Sequence, residues 1–190
     1  MNIKEDIQNL QLALQQEGVI LYPTDTVWGL GGDIHSTKVI ERVFEIKNRP
    51  LEKKLVVLVD GVDMLKRYVR QIPNKALKMI EFYERPLTII YDNLLEGLPP
   101  MLLGEDKSLA IRVVKDDFCQ QLIAGFGKPI LSTSANLSGE PFPTHYGEIP
   151  AAIKSKVDAI AHYRRDFVSP LPPSTIVKII DGQDLIFIRK

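Results

Sequence analysis

Three short segments concentrate the hydroxyls, cations and glycines that a binding site for an anion or a nucleotide requires. In YPTDTVWGLGG, at 22–32, Thr24 and Thr26 supply hydroxyls, and Gly29, Gly31 and Gly32 could bring backbone amides close to an anion or a carboxylate. The pattern is neither the Rossmann glycine signature nor a P-loop, and a tight turn in which Asp25 or Thr26 bonds the local backbone accounts for the same residues. Lys47 and Arg49 flank Asn48 at the end of a helical pattern. A compact ammonium beside a planar fork suits phosphate oxygens, though cations in a last helical turn also complement the helix dipole. STSANLSG, at 132–139, gathers Ser132, Thr133, Ser134, Asn136 and Ser138 after an apolar run, either to present several donors to one ligand or as a solvated turn. Arg112 interrupts the apolar run LAIRVV, so it faces a cleft, pairs internally or points to solvent.

These segments need elements to hold them. Ile3, Ile7, Leu10 and Leu14 recur at helical spacing ahead of Gly18, predicting an opening helix. A buried strand over 19–22 then runs into a loop, followed by a helix over 37–46 that Pro50 cannot continue. Further strands are predicted at 55–59, 87–91, 109–113, 129–131, near 159, at 174–180 and at 185–188. Helices are predicted near 64–70, 74–83, 116–126 and 146–153. Alternating strands and helices imply a sheet covered by helices, and a closing hairpin around Asp181 and Gly182 makes that sheet mixed.

A chain of 190 residues fits one domain, 1–190, with an ordinary apolar content. Its 24 Lys and Arg balance 24 Asp and Glu, so no net charge drives it toward nucleic acid or an anionic membrane. The one cysteine, Cys119, cannot form an intrachain disulfide and reads as a small residue on a helix face. Neither a signal peptide nor a membrane-spanning run is evident, which makes the cytoplasm the expected location. His35, His145 and His162 lack paired metal-ligand spacing, and no Gly-x-Ser-x-Gly elbow is present, which disfavours metallohydrolase and serine hydrolase chemistry.

Taken together, YPTDTVWGLG, KNRP, AIRV, STSANLSG and PSTIV resemble, in order and spacing, the YrdC/TsaC family of threonylcarbamoyl-AMP synthases, in its short single-domain form. The resemblance implies an α/β (α+β) fold: a twisted, mainly mixed sheet flanked by helices, with a large concave cleft. It further implies an enzyme that joins L-threonine, bicarbonate or CO2 and ATP into threonylcarbamoyl-adenylate and pyrophosphate, with Mg2+ accompanying ATP. The product serves threonylcarbamoyladenosine modification of tRNA, with tRNA and tRNA-modification proteins as expected partners.

By the same resemblance Lys47 and Arg49 are the catalytic cations, and Thr24, Arg112, Ser132 and Ser174 contact threonine. Lys47, Arg49, Ser108, Ser134, Asn136 and Arg189 contact the nucleotide. Replacing Lys47 or Asn136 by alanine is then expected to cut turnover and leave folding intact. The chain departs from the family pattern at Trp28, usually tyrosine, at ERPLT over 84–88, at Val114, and at 56–58, where a histidine is commonly found. Two further functions fit the residues: a non-catalytic RNA-binding relative, whose basic cleft accepts a phosphate backbone, and a diverged paralogue acting on another carbamoyl acceptor.

Overall fold

The structure, a computed structural model, describes residues 2–48 and 55–189. In chain order the elements are α1 (Ile3–Gln15), β1 (Ile20–Tyr22), β2 (Gly29–Gly31), α2 (Thr37–Ile46), β3 (Val56–Val59), α3 (Val62–Leu65), α4 (Asn74–Phe82), β4 (Leu87–Tyr91) and β5 (Leu109–Val113). There follow α5 (Asp117–Phe126), β6 (Ile130–Ser134), α6 (Ala151–Lys154), β7 (Ala159–Ile160), β8 (Thr175–Ile180) and β9 (Asp184–Arg189). Asn2 and Glu5 form a capping box that starts α1, and the predicted stripe buries Ile7, Leu10 and Leu14. Ser36 and Asp116 cap α2 and α5 through their side-chain oxygens.

Among the described residues the strands form one nine-stranded sheet in the order β7-β1-β2-β6-β3-β5-β4-β8-β9. It is mixed, as expected: β1–β7, β3–β5 and β4–β8 run parallel, and the remaining neighbours run antiparallel. Alternation along β8 shows how the sheet divides space. Thr175, Val177 and Ile179 are buried, whereas Ile176, Lys178 and Ile180 are half-exposed. One face packs into the core and the other forms the floor of a cleft. Register aligns Ser132, Val56, Ala110, Ile90 and Lys178 in one row across the sheet, of which Ser132 and Val56 line the cleft.

Three local features differ from the sequence expectations. Gly29–Gly31, expected as loop, is a strand, because β6 continues past Leu131 to Ser134 and pairs with it. The helix expected over 146–153 is a 3-10 turn at Tyr146–Glu148 and a short α6, since Pro150 cannot donate to a continuous ladder. The helix expected near 64–70 starts earlier and is short, spanning Val62–Leu65.

Candidate functional site

The loop leaving β1 folds on its own hydroxyls. Thr24 Oγ1 donates to the carbonyl of Val27 at 2.7 Å, accepts from the backbone N–H of Thr26 at 3.1 Å, and lies 3.0 Å from Thr26 Oγ1. The turn chemistry and the candidate site therefore use the same residues. Gly29 opens β2 where the loop rejoins the sheet, and the space beside it is tight: a Cβ there would sit 3.1 Å from Ser132 Oγ, 3.1 Å from Tyr22 Cζ and 3.3 Å from Thr24 Cγ2. Gly31 and Gly32 have a different role from the expected anion contact. A Cβ on Gly31 would lie 1.6 Å from the Leu131 carbonyl oxygen, and Gly32 accepts from the Leu131 N–H at 2.7 Å. Their backbone is committed to β6, so only Gly29 of the three lines the cavity.

That cavity, of about 460 Å³, is of small-molecule size. It brings together Thr24, Arg112, Ser132, Ser134, Asn136, Ser174 and Arg189 from five separate parts of the chain. A more open hollow of about 550 Å³ beside Asp60, Lys66 and Gln120 contains none of the expected site residues.

Arg112 resolves the alternatives left by the sequence, because it both pairs internally and faces the cavity. It is only 5% exposed, its Nη1 donates to Thr26 Oγ1 at 3.2 Å, and Nη2 lies 3.3 Å from Asp25 Oδ1. Arg189 enters from β9, its Nε and Nη2 donating to the Ser174 carbonyl at 3.0 and 2.7 Å. Burial and then the nearby Arg112 charge lower the Arg189 guanidinium below its ordinary value. Two cations on one cavity repel, and an anionic ligand between them relieves that repulsion. Ser174 is fixed by a 2.7 Å contact between its hydroxyl and that of Thr88.

Lys47 sits behind the wall rather than on it. It is 0% exposed, and its Nζ donates to the Ser134 carbonyl and, at 2.6 Å, to the Asn136 carbonyl, with Asn136 Oδ1 at 3.5 Å. Its own carbonyl accepts from Ser138 N–H at 2.9 Å. The Asn136 amide donates to the carbonyls of Leu137 and Glu140, tightening the same loop. Arg49 lies outside the described residues. Ser108 shares the face of β5 with Arg112 by alternation, yet it lies beyond the cavity wall and donates to Asp106 at 2.6 Å. Cys119 is buried against the Pro23 carbonyl, and burial pushes its thiol well above the usual range, as suits a packing residue.

Sequence reasoning gave Trp28, Asp25 and Thr26 no ligand role, although it noted the Thr26 hydroxyl, and it did not mention Glu140. Trp28 forms part of the wall, its ring 5.2 Å from that of Tyr146, which Lys154 and Arg165 flank at 4.5 and 4.6 Å. The first three belong to a segment already singled out, but only the return of β2 beside β6 shows which of its side chains turn inward.

Comparison with known proteins bears on the family and the fold. The Sua5/YciO/YrdC family model, described as telomere recombination, matches residues 12–190. A threonylcarbamoyl-AMP synthase of Xanthomonas axonopodis pv. citri is 34% identical over 158 residues, covering 82% of this chain and 84% of that one. The synthase of Yersinia enterocolitica is 39% identical over 131 residues, covering 67% and 68%. Among solved structures, E. coli YciO superposes with a TM-score of 0.83 at 25% identity, covering all of this chain and 90% of that one. Sua5 of P. abyssi complexed with L-threonine superposes with a TM-score of 0.81 at 24% identity, which speaks to the fold. This chain spans about half the length of that Sua5, 54%, and 96% of its own.

Proposed function

The chain belongs to the Sua5/YciO/YrdC family, and we infer from that premise that it is a threonylcarbamoyl-AMP synthase acting on L-threonine and ATP. The observation that carries the reading is the convergence of Thr24, Arg112, Ser132, Ser134, Asn136, Ser174 and Arg189 on one cavity. In the proposed reaction the threonine amine, once deprotonated, adds to CO2 derived from bicarbonate and forms a carbamate. A carbamate oxygen attacks the α-phosphorus of ATP, the bond to the β-phosphate oxygen breaks, and pyrophosphate leaves.

No covalent enzyme intermediate is needed, so the protein's task is alignment and charge neutralisation. Arg112, with Thr24, Ser132 and Ser174, holds the amino acid, while Ser134, Asn136 and Arg189 border the nucleotide. Lys47 keeps the Ser134–Asn136 loop in shape through its bonds to the loop carbonyls. Arg49 is proposed for the phosphates on the resemblance alone, and so is Ser108 for the nucleotide, its hydroxyl donating to Asp106 and keeping its lone pairs as acceptors. Magnesium belongs to the MgATP substrate in this reading. The proposed setting is the cytoplasm, with tRNA and tRNA-modification proteins consuming the product. Among the described residues no helix is long and apolar enough to cross a membrane.

The test is pyrophosphate release from ATP, Mg2+ and bicarbonate, with and without L-threonine, together with mass detection of the adenylate. Threonine-dependent release of both products supports the reading. ATP binding without turnover, or an equal response to other amino acids, overturns it.

A further inference from the structure

Arg112 is held in an unusual way for a buried guanidinium. Nη1 has a hydrogen bond to Thr26 Oγ1, but Nη2 meets Asp25 Oδ1 at 3.3 Å without hydrogen-bond geometry. Both Arg112 Nε and Asp25 Oδ1 are buried with no hydrogen-bond partner. The pair is therefore held by charge, and the fork stops short of the two-pronged contact that arginine and carboxylate ordinarily make. A guanidinium in that state has hydrogen-bonding capacity that its internal partners leave unused.

Asp25 and Thr26 are consecutive residues, so one loop sets two of the contacts on the fork. That loop is tied down by the Thr24 bond to Val27 and by a Ser169 hydroxyl that donates to the Thr26 carbonyl. Arg112 lines the main cavity, whereas Asp25 lines a separate hollow of about 190 Å³ with Glu84, Arg85 and Lys115. The ion pair stands as a partition between the two spaces, its cationic half toward the main cavity.

We propose that Asp25 is a positioning residue for amino-acid capture: its carboxylate anchors Arg112 from behind, leaving the guanidinium to receive the carboxylate of L-threonine. The proposal rests on the synthase reading. Without the Asp25 charge, the fork retains only its neutral contact to Thr26 and spreads over orientations that a small ligand must select among, which weakens binding of that ligand.

The experiment compares the wild-type chain with Asp25→Asn, which preserves size and an acceptor oxygen, and with Asp25→Glu, which preserves charge. Pyrophosphate release is measured while threonine and ATP are varied in turn. Asp25→Asn is expected to raise the threonine KM roughly tenfold, with kcat and the ATP KM changed by less than about twofold. Asp25→Glu should recover part of the loss, and the Asp25→Asn effect should vanish in an Arg112→Lys background. A wild-type threonine KM in Asp25→Asn, or an effect undiminished beside Arg112→Lys, overturns the proposal. So does a parallel fall in kcat and both KM-derived affinities, the mark of a merely structural role. If the wild type shows no threonine-dependent release, the synthase reading fails separately, and titration calorimetry with L-threonine makes the same comparison. Binding about tenfold weaker in Asp25→Asn then supports the anchor, equal binding overturns it, and no binding by the wild type overturns both.

Discussion

Lys47 offers the sharpest separation between a side chain that touches substrate and one that shapes the site. Its ammonium is fully buried against the Ser134 and Asn136 carbonyls. In Lys47→Met the apolar stem stays and the donor goes. The Ser134 carbonyl keeps the Asn136 N–H at 3.0 Å, whereas the Asn136 carbonyl loses the 2.6 Å ammonium contact. Hydrogen bonds to a charged group contribute about 1.5–3 kcal/mol each, and relief of the buried charge offsets part of their loss, leaving about 3 kcal/mol. For a chain of this length that corresponds to a fall in Tm of about 9 °C. Lys47→Ala also removes three buried methylenes, about 2 kcal/mol more. The expectation that Lys47→Ala spares folding is thus revised, because the same group braces the loop. Urea unfolding with pyrophosphate release on the same samples checks this. A Met variant within about 0.5 kcal/mol of wild type would refute the loop-brace reasoning, whatever its activity.

Other consequences are as direct. Burial works to raise the Asp33 carboxyl, but bonds from Lys128 and from the His35 backbone and ring hold it below the usual carboxylate value. A folded value below the unfolded one contributes stability above the ordinary aspartate range, near ~3.9, that is lost as pH falls through the folded value. Lys128→Ala should therefore lose stability at pH 7, and its gap to wild type should narrow as pH falls below the ordinary aspartate range in urea melts; a gap that does not change with pH would reject the pairing. Gly31→Ala, whose Cβ would lie 1.6 Å from the Leu131 oxygen, should lose about 3 kcal/mol or fail to fold. Gly61→Ala, with nothing within 4 Å, should stay within ~1 kcal/mol, and similar melts for both would contradict the packing. Trp28 is the sole tryptophan and lines the cavity, so threonine or ATP should change its emission saturably. Calorimetric binding without that change would place the ligand elsewhere.

Much of the framework was legible because it depends on local patterns. The α1 and α2 stripes, the strands at β3 to β5, the mixed sheet and the closing hairpin follow from periodicity and turn residues close in sequence. The site residues Thr24, Arg112, Ser132, Ser134, Asn136 and Ser174 were likewise marked by their motifs, though composition alone left each open to a bland explanation. The β2 strand was not legible, since Gly-Leu-Gly has little intrinsic strand preference and pairs because β1 and β6 lie on either side. Only the tertiary structure decided that Lys47 braces a loop instead of lining the cavity, that Ser108 stays with Asp106, and that Asp25 stands behind Arg112. For Lys47 and Asp25 the outcome depends on which distant segment supplies the partner for a buried charge, whereas Ser108 bonds a residue two positions away. One-dimensional spacing specifies the faces of an element, but pairing across 86 or more positions, as between Thr26 and Arg112, is set by sheet order and register.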